Sequence, residues 1–115
     1  MNRTFMNGYY QGVVEVAPAS LSAAQVEELA VTMTIQHLRH AGVAITTIHD
    51  FLVDDIGANS RLVTKFINLT ADELETAQAR IMAIAFAKWN YINEGPEPGL
   101  FDRALGLHLC TVAFT

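Results

Sequence analysis

The stretch ITTIHDFLVDDIGANS, Ile45 to Ser60, decides the fold because its pattern fits either a strand or a helix. β-Branched residues are frequent in and around its first half, and such residues favour a pleated, half-buried surface. In a strand over 43–53, one face would carry Val43, Ile45, Thr47, Phe51 and Val53. The segment 54–60, DDIGANS, would then be a hairpin loop, since Asp, Asn, Ser and Gly tolerate tight turns.

The alternative is a helix over 47–56, in which Ile48, Leu52 and Ile56 share one side and Gly57 ends the helix. The short HAGVAI junction before the stretch is a frequent way for a helix to turn into a strand. We therefore predict the strand over 43–53 and keep the helix as the alternative.

Two long helices are indicated by capping boxes, in which a Ser or Thr and a Glu or Gln three residues later satisfy each other's backbone N–H groups. The first, SAAQ at 22–25, predicts a helix from Ala23 to about Ala41, with Gly42 at the left-handed cap. The second, TADE at 70–73, predicts a helix that runs to about Asn93. The main inward stripe of the first helix is Val26, Leu29, Ala30, Met33 and His37.

Three further strands complete the predicted fold, over 9–17, 61–69 and 107–114. GPEPG at 95–99 is a turn-rich connection, and FDRALG at 101–106 is a short helical turn. The order β-α-β-β-α-β predicts an α+β fold, a ferredoxin-like two-layer sandwich in which 1–115 form a single domain. If 47–56 is helical instead, three strands and three helices remain.

Composition limits the classes of function. Hydrophobic residues make up 51% of the chain and charged residues only 17%, which is typical of a globular chain and hints at self-association. The net charge of −5 and the scattered Lys and Arg residues argue against direct nucleic-acid binding. The start lacks the apolar run of a signal peptide, and the longest apolar run, IMAIAFA, is too short to span a bilayer. We expect a cytoplasmic protein with no membrane partner.

The candidate metal and acid–base residues do not converge in the sequence. On a strand, His49 and Asp50 would point to opposite faces, and Asp54 and Asp55 have ordinary turn composition. His37 and His40 are three apart on a helix but have no carboxylate at a matching offset in the same helix turn.

His108 shares a strand face with Cys110, the only cysteine, which is more typical of a buried thiol than of a nucleophile and base. The chain also contains none of the short nucleotide-binding, zinc-protease or nucleophile-elbow motifs. We therefore predict no catalytic residues, no metal and no cofactor.

The second long helix is more apolar than one core contact requires. Leu74, Ala77, Ile81, Ala85 and Ile92 form one stripe at helical spacing, and Met82, Phe86 and Trp89 form another, with Tyr91 and Ile84 flanking the first. A helix on the outside of a two-layer fold needs a cover for such a surface. We predict an interface at Met82, Phe86, Trp89 and Tyr91. The alternative is that the terminal segments 1–10 and 94–106 cover the helix.

Two functions follow as expectations. The first is a non-catalytic protein-binding module, a homodimer that acts as an inhibitor or adaptor of another macromolecule. Small acidic α+β proteins that inhibit host defence complexes occur in viruses, which is an analogy of size and charge alone. The second is a small-molecule-binding or enzymatic α+β dimer, with a pocket between sheet and helices that uses His37, His49 or His108.

Overall fold

The computed structural model describes the backbone of residues 3–93 and the side chains of residues 3–87. Helices joined by short connections make up this part of the chain, and it contains no strand. Its elements are α1 (Arg3–Val16), α2 (Ala23–His40), α3 (Ile45–Asp50), a π-helix (Phe51–Ile56), α4 (Ser60–Ile67) and α5 (Ala71–Asn93). The predicted α+β, ferredoxin-like sandwich is therefore wrong for these residues, because three of its four strands are helices.

The segment 9–17, predicted as a strand, belongs to helix α1. The residues buried on α1 are Met6, Tyr9, Tyr10 and Val13, at the i, i+3, i+4 and i+7 spacing of one helix face. The first of them, Met6, lies before the predicted strand, so the helical period was not visible within 9–17 alone. Tertiary packing of this stripe outweighs the β-propensity of the three valines.

The fold-deciding stretch is also helical, as α3 followed directly by the π-helix. The residues buried on these two helices are Ile48, Phe51 and Leu52, whereas Ile45 is 44% exposed. A strand would have placed Ile45 on the inward face with Phe51, so the helical spacing fits the burial and the strand does not. Gly57 ends the segment in the left-handed conformation, at φ 77°, as the alternative interpretation predicted.

The predicted hairpin loop, 54–60, contains the end of the π-helix and the start of α4. Most of the predicted strand 61–69 is helix α4. The side chain of Asn59 accepts hydrogen bonds from the backbone N–H groups of Arg61 and Leu62, which caps the helix. Val63, Phe66 and Ile67 are buried at helical spacing. Gly and Asn serve helix ends as readily as hairpin turns, which is why the loop composition misled the prediction.

Both long helices are confirmed. In α2, Ser22 Oγ accepts from the Gln25 N–H at 3.2 Å, and Gln25 Oε1 accepts from the Ser22 N–H at 2.9 Å. In α5, Thr70 Oγ1 and Glu73 Oε1 make the same reciprocal pair at 3.2 and 3.1 Å. These bonds hold the pKa of the exposed Glu73 carboxyl below its usual value, the backbone N–H of Thr70 having the larger effect.

Helix α2 lies at the centre of the packing, with α1, α4 and α5 against it. All seven residues from Leu29 to Ile35 are buried. The predicted inward stripe is buried at Leu29, Ala30 and Met33 and half-buried at Val26 and His37. Three helices share the surface of α2 in place of a sheet, so the middle of α2, Leu29–Ile35, is buried on every side.

The alternative fold, three strands plus three helices, is right only in making 47–56 helical. The other segments assigned to strands within 3–93 are helices too. The strand over 107–114, the connection at 95–99 and the helical turn at 101–106 lie outside the described residues. Among the helices that are described, none combines the length and the apolar character needed to cross a membrane.

Candidate functional site

The second half of α5 carries the largest run of apolar residues on the described helices. From Ile81 to Ala87 the sequence IMAIAFA has no polar residue on any side. Ile81 and Ala85 are buried, and Leu74 continues the same stripe two turns earlier. This is the core stripe that the sequence predicted, and α2 is the helix on which α5 mainly packs.

The opposite side of this run forms the outer face of α5, defined here as Ala83, Ile84 and Ala87. All three are exposed, and Ile84 retains 39% of its accessible surface. Ile84 is one of the few large hydrophobic side chains of the described chain with this exposure. Half-buried Met82 and Phe86 border the outer face, and Met82 packs partly against the core. The run is therefore apolar toward solvent as well as toward the core.

The predicted interface residues thus divide into two groups. Met82 and Phe86 lie on α5 with part of their surface accessible. Trp89 and Tyr91 lie within the bounds of α5, but their side chains are outside the described residues. The interface assignment remains a prediction for all four.

Two polar contacts fix how α5 sits on the other elements. Gln78 Nε2 donates to Gln36 Oε1 of α2 at 2.6 Å, in a half-buried position. Ser20 Oγ, from the connection between α1 and α2, donates to the carbonyl oxygen of Ala85 at 3.3 Å. Sequence reasoning missed both contacts, since partners 42 and 65 residues apart leave no local signal.

The histidines predicted for a ligand site lie on different elements. His37 is on α2, half-buried, with its ring stacked on Tyr9 of α1 at 4.2 Å between ring centroids and 5° between planes. His49 is on α3, and His108 lies outside the described residues. A pocket between sheet and helices has no counterpart in residues 3–93, because that part of the chain has no sheet.

The acidic residues Asp50, Asp54 and Asp55 lie on the exposed side of α3 and the π-helix. His49 Nδ1 lies 3.2 Å from Asp50 Oδ1, so the expectation that the two residues point to opposite faces is wrong, because they are on a helix. Asp55 accepts from Arg3 Nη1 at 2.9 Å, an ion pair between the π-helix and α1 in which the Arg3 side chain is 71% exposed. Within the described residues, no group of three or more His, Cys, Asp or Glu side chains is placed to hold a metal ion.

Among the described residues, the candidate functional site is therefore the apolar outer face of α5, and not a metal-binding or acid–base site. We compared the chain with models of protein families, with curated proteins and with solved structures, and none of these comparisons gave a match.

Proposed function

We propose that this chain is a non-catalytic protein-binding module that forms a homodimer through the second half of α5 and acts as an inhibitor or adaptor of another macromolecule in the cytoplasm. One observation supports the proposal above the others. The run Ile81–Ala87 is apolar on every side, although only Ile81 and Ala85 are buried in the described chain. A solvent-facing helix side is ordinarily polar, so an apolar outer face favours a protein cover.

The free energy available from burying the outer face of α5 can be compared with the cost of association. Full burial of an isoleucine is worth about 1.5–3 kcal/mol, and alanines contribute less. Association itself costs roughly 4–15 kcal/mol in lost freedom of movement. Ile84 with its two neighbouring alanines is therefore too small a contact for a stable dimer. The proposal needs the predicted residues Met82, Phe86, Trp89 and Tyr91 to contribute, and aromatic and Met side chains are favoured at the centres of interfaces.

The charge of the chain supports a protein partner over a nucleic acid. With 12 acidic and 7 basic residues, a broad approach to a phosphate backbone is repelled. Among the described residues of the run Ile81–Ala87 there is no charged group to orient an ionic ligand. A contact of this composition is suited to the apolar surface of a folded protein, including a second copy of the chain.

The test measures the dissociation constant of the dimer by sedimentation velocity for the native chain and for Ile84→Glu. Since Ile84 is already partly exposed, the variant should fold as a monomer. In a dimer it would bury a carboxylate without a partner, which costs several kcal/mol. We expect the dissociation constant of the dimer to rise by about a hundredfold or more, at 1.4 kcal/mol per tenfold change.

The matched control is Thr64→Glu, which adds the same charge at an exposed position of α4. It should leave the dissociation constant unchanged. Phe86→Glu is a second interface variant and should also dissociate the dimer. If Ile84→Glu and Phe86→Glu both retain the native dissociation constant while folded, α5 is not the interface and the proposal fails.

A further inference from the structure

The exposed side of α5 changes its charge along the helix. The first two turns carry three exposed carboxylates, Asp72, Glu73 and Glu75. Among the described side chains of α5 the only basic one is Arg80. Over 81–93, the second half of the helix, the sequence contains one charged residue, the basic Lys88. Helix α5 is therefore acidic at its start and almost uncharged over its second half.

The acidic start lies on the same side of the helix as the outer face of α5. Asp72 is in line with Ala79 and Ala83, since i, i+7 and i+11 share one side of a helix. These three side chains and that of Thr76, which lies between them on the same side, are all exposed. A second helix that lies along the outer face therefore also passes the acidic start of α5.

Charge distinguishes the two orientations in which a second copy of α5 can cover this side. In a parallel pair the acidic starts of both helices lie together, and like charges placed side by side oppose association. The positive ends of the two helix dipoles also lie together. In an antiparallel pair the acidic start of each helix lies beside the second half of the other, where Lys88 is the only charged residue in the sequence. Charge complementarity therefore favours the antiparallel pair.

We infer that two copies of α5 pack antiparallel with the two-fold axis beside Ala83, so that Ala79 of one copy lies against Ala87 of the other. This inference rests on the proposed homodimer and adds the orientation and register of its helices. The register follows from the exposed alanines, which recur once per turn at 79, 83 and 87. Small side chains at a contact let two helices approach closely. An axis beside Ala83, the middle alanine, brings all three into the contact.

The experiment is disulfide cross-linking between copies of the full chain in a glutathione redox buffer. The background is Cys110→Ser, because Cys110 is the only cysteine and an introduced thiol then has no other thiol in its own chain. Each single variant places a cysteine at one exposed position, Ala79→Cys, Ala83→Cys or Ala87→Cys. Two cysteines form a disulfide only where their Cα atoms lie within about 7 Å. The cross-links therefore report which positions of the two helices face each other.

The mixed disulfide between Ala79→Cys and Ala87→Cys chains is the decisive product. In an equal mixture it should form roughly tenfold faster than either chain forms a disulfide with itself, because the dimer holds the facing thiols together. Tryptic peptides identify the mixed product, since cleavage after Arg80 separates positions 79 and 87. If each variant instead cross-links mainly with itself, the helices are parallel and the inference is overturned, while the homodimer stands.

Ala83→Cys separates this inference from the proposed function. Position 83 faces its own counterpart in the antiparallel pair and in a parallel pair in register. The variant should therefore cross-link faster than the matched control Thr64→Cys, at an exposed position of α4. If Ala83→Cys and the mixed pair both react only at the rate of the control, α5 is not the interface, and the homodimer and the inference fail together. If only one of them reacts at that rate, the stated register is wrong and the inference alone is overturned.

Discussion

Helices α2 and α5 share two sequence features but have different surroundings. Both begin with a capping box, and each contains a run of seven residues that the chain could bury, Leu29–Ile35 in α2 and Ile81–Ala87 in α5. All seven residues of the run in α2 are buried, whereas only Ile81 and Ala85 are buried in the run in α5. The difference comes from the neighbours: within the described residues, α1, α4 and α5 surround α2, whereas α5 packs mainly on α2. Apolar composition therefore shows that a helix needs a cover, but not what supplies it.

The largest expected effect compares an isoleucine in each run. Ile35→Ala in α2 removes a fully buried side chain and should lower the free energy of unfolding by about 2–5 kcal/mol. Ile84→Ala in α5 removes a side chain that is 39% exposed and should cost less than about 1 kcal/mol in the monomer. Urea unfolding at low protein concentration measures both. Equal losses in the free energy of unfolding would mean that Ile35 and Ile84 contribute equally to the stability of the monomer.

The second prediction concerns pH and the packing of α1 on α2. Burial, with a smaller effect from the Glu27 carboxylate, raises the pKa of Tyr10 to about 12 from the usual value of 10.0. Since the folded pKa is the higher one, the stabilisation is complete below pH 10 and is lost as the pH rises from 10 toward 12. Thermal unfolding between pH 9 and 12 should show a steeper loss in the native chain than in Tyr10→Phe. Parallel curves would mean that Tyr10 ionises equally easily in both states.

The third prediction uses the matched caps. Ser22→Ala and Thr70→Ala each remove a side-chain acceptor at the first turn of a long helix, and each should cost about 1 kcal/mol. Urea unfolding of the two variants tests whether the N-terminal caps of α2 and α5 contribute equally to stability. A loss several times larger at one site would show that this end has a further role in packing.

The smallest expected effect lies outside both helices. Asp54→Asn combined with Asp55→Asn removes exposed charges, including the partner of Arg3. A surface ion pair contributes about 0–1 kcal/mol, so the double variant should unfold within roughly that range of the native chain. Replacing Arg3 with Gln should give a similar small loss, because it breaks the same pair. A loss of several kcal/mol in either variant would mean that the π-helix depends on this charge pair.

The sequence predicted the parts of the fold that local chemistry determines. Both capping boxes and the bounds of α2 and α5 were readable, because Ser22, Gln25, Thr70 and Glu73 act on backbone groups within one turn. The short helices were not readable in the same way. Their apolar residues fit periods of two and of 3.6 over a few positions, and the choice depended on burial against α2, which is a property of the tertiary structure.

The candidate site was predicted only in part, for a related reason. The excess of apolar residues on α5 follows from the sequence, and the exposure of Ile84 agrees with it. That Met82 also packs against the core could not be read from helical spacing, since it depends on how α5 is rotated on α2. The stacking of His37 on Tyr9 was likewise hidden, because it joins two helices whose pairing the predicted sheet had excluded.

We propose that a protein surface covers the second half of α5 in solution. Multi-angle light scattering of the native chain over a dilution series tests it most directly. One chain has a mass of 12.6 kDa, so a dimer should give twice that value, about 25 kDa, and the mass should fall toward that of one chain on dilution. A mass of one chain at every concentration, with the same thermal stability throughout, would contradict the claim of a homodimer.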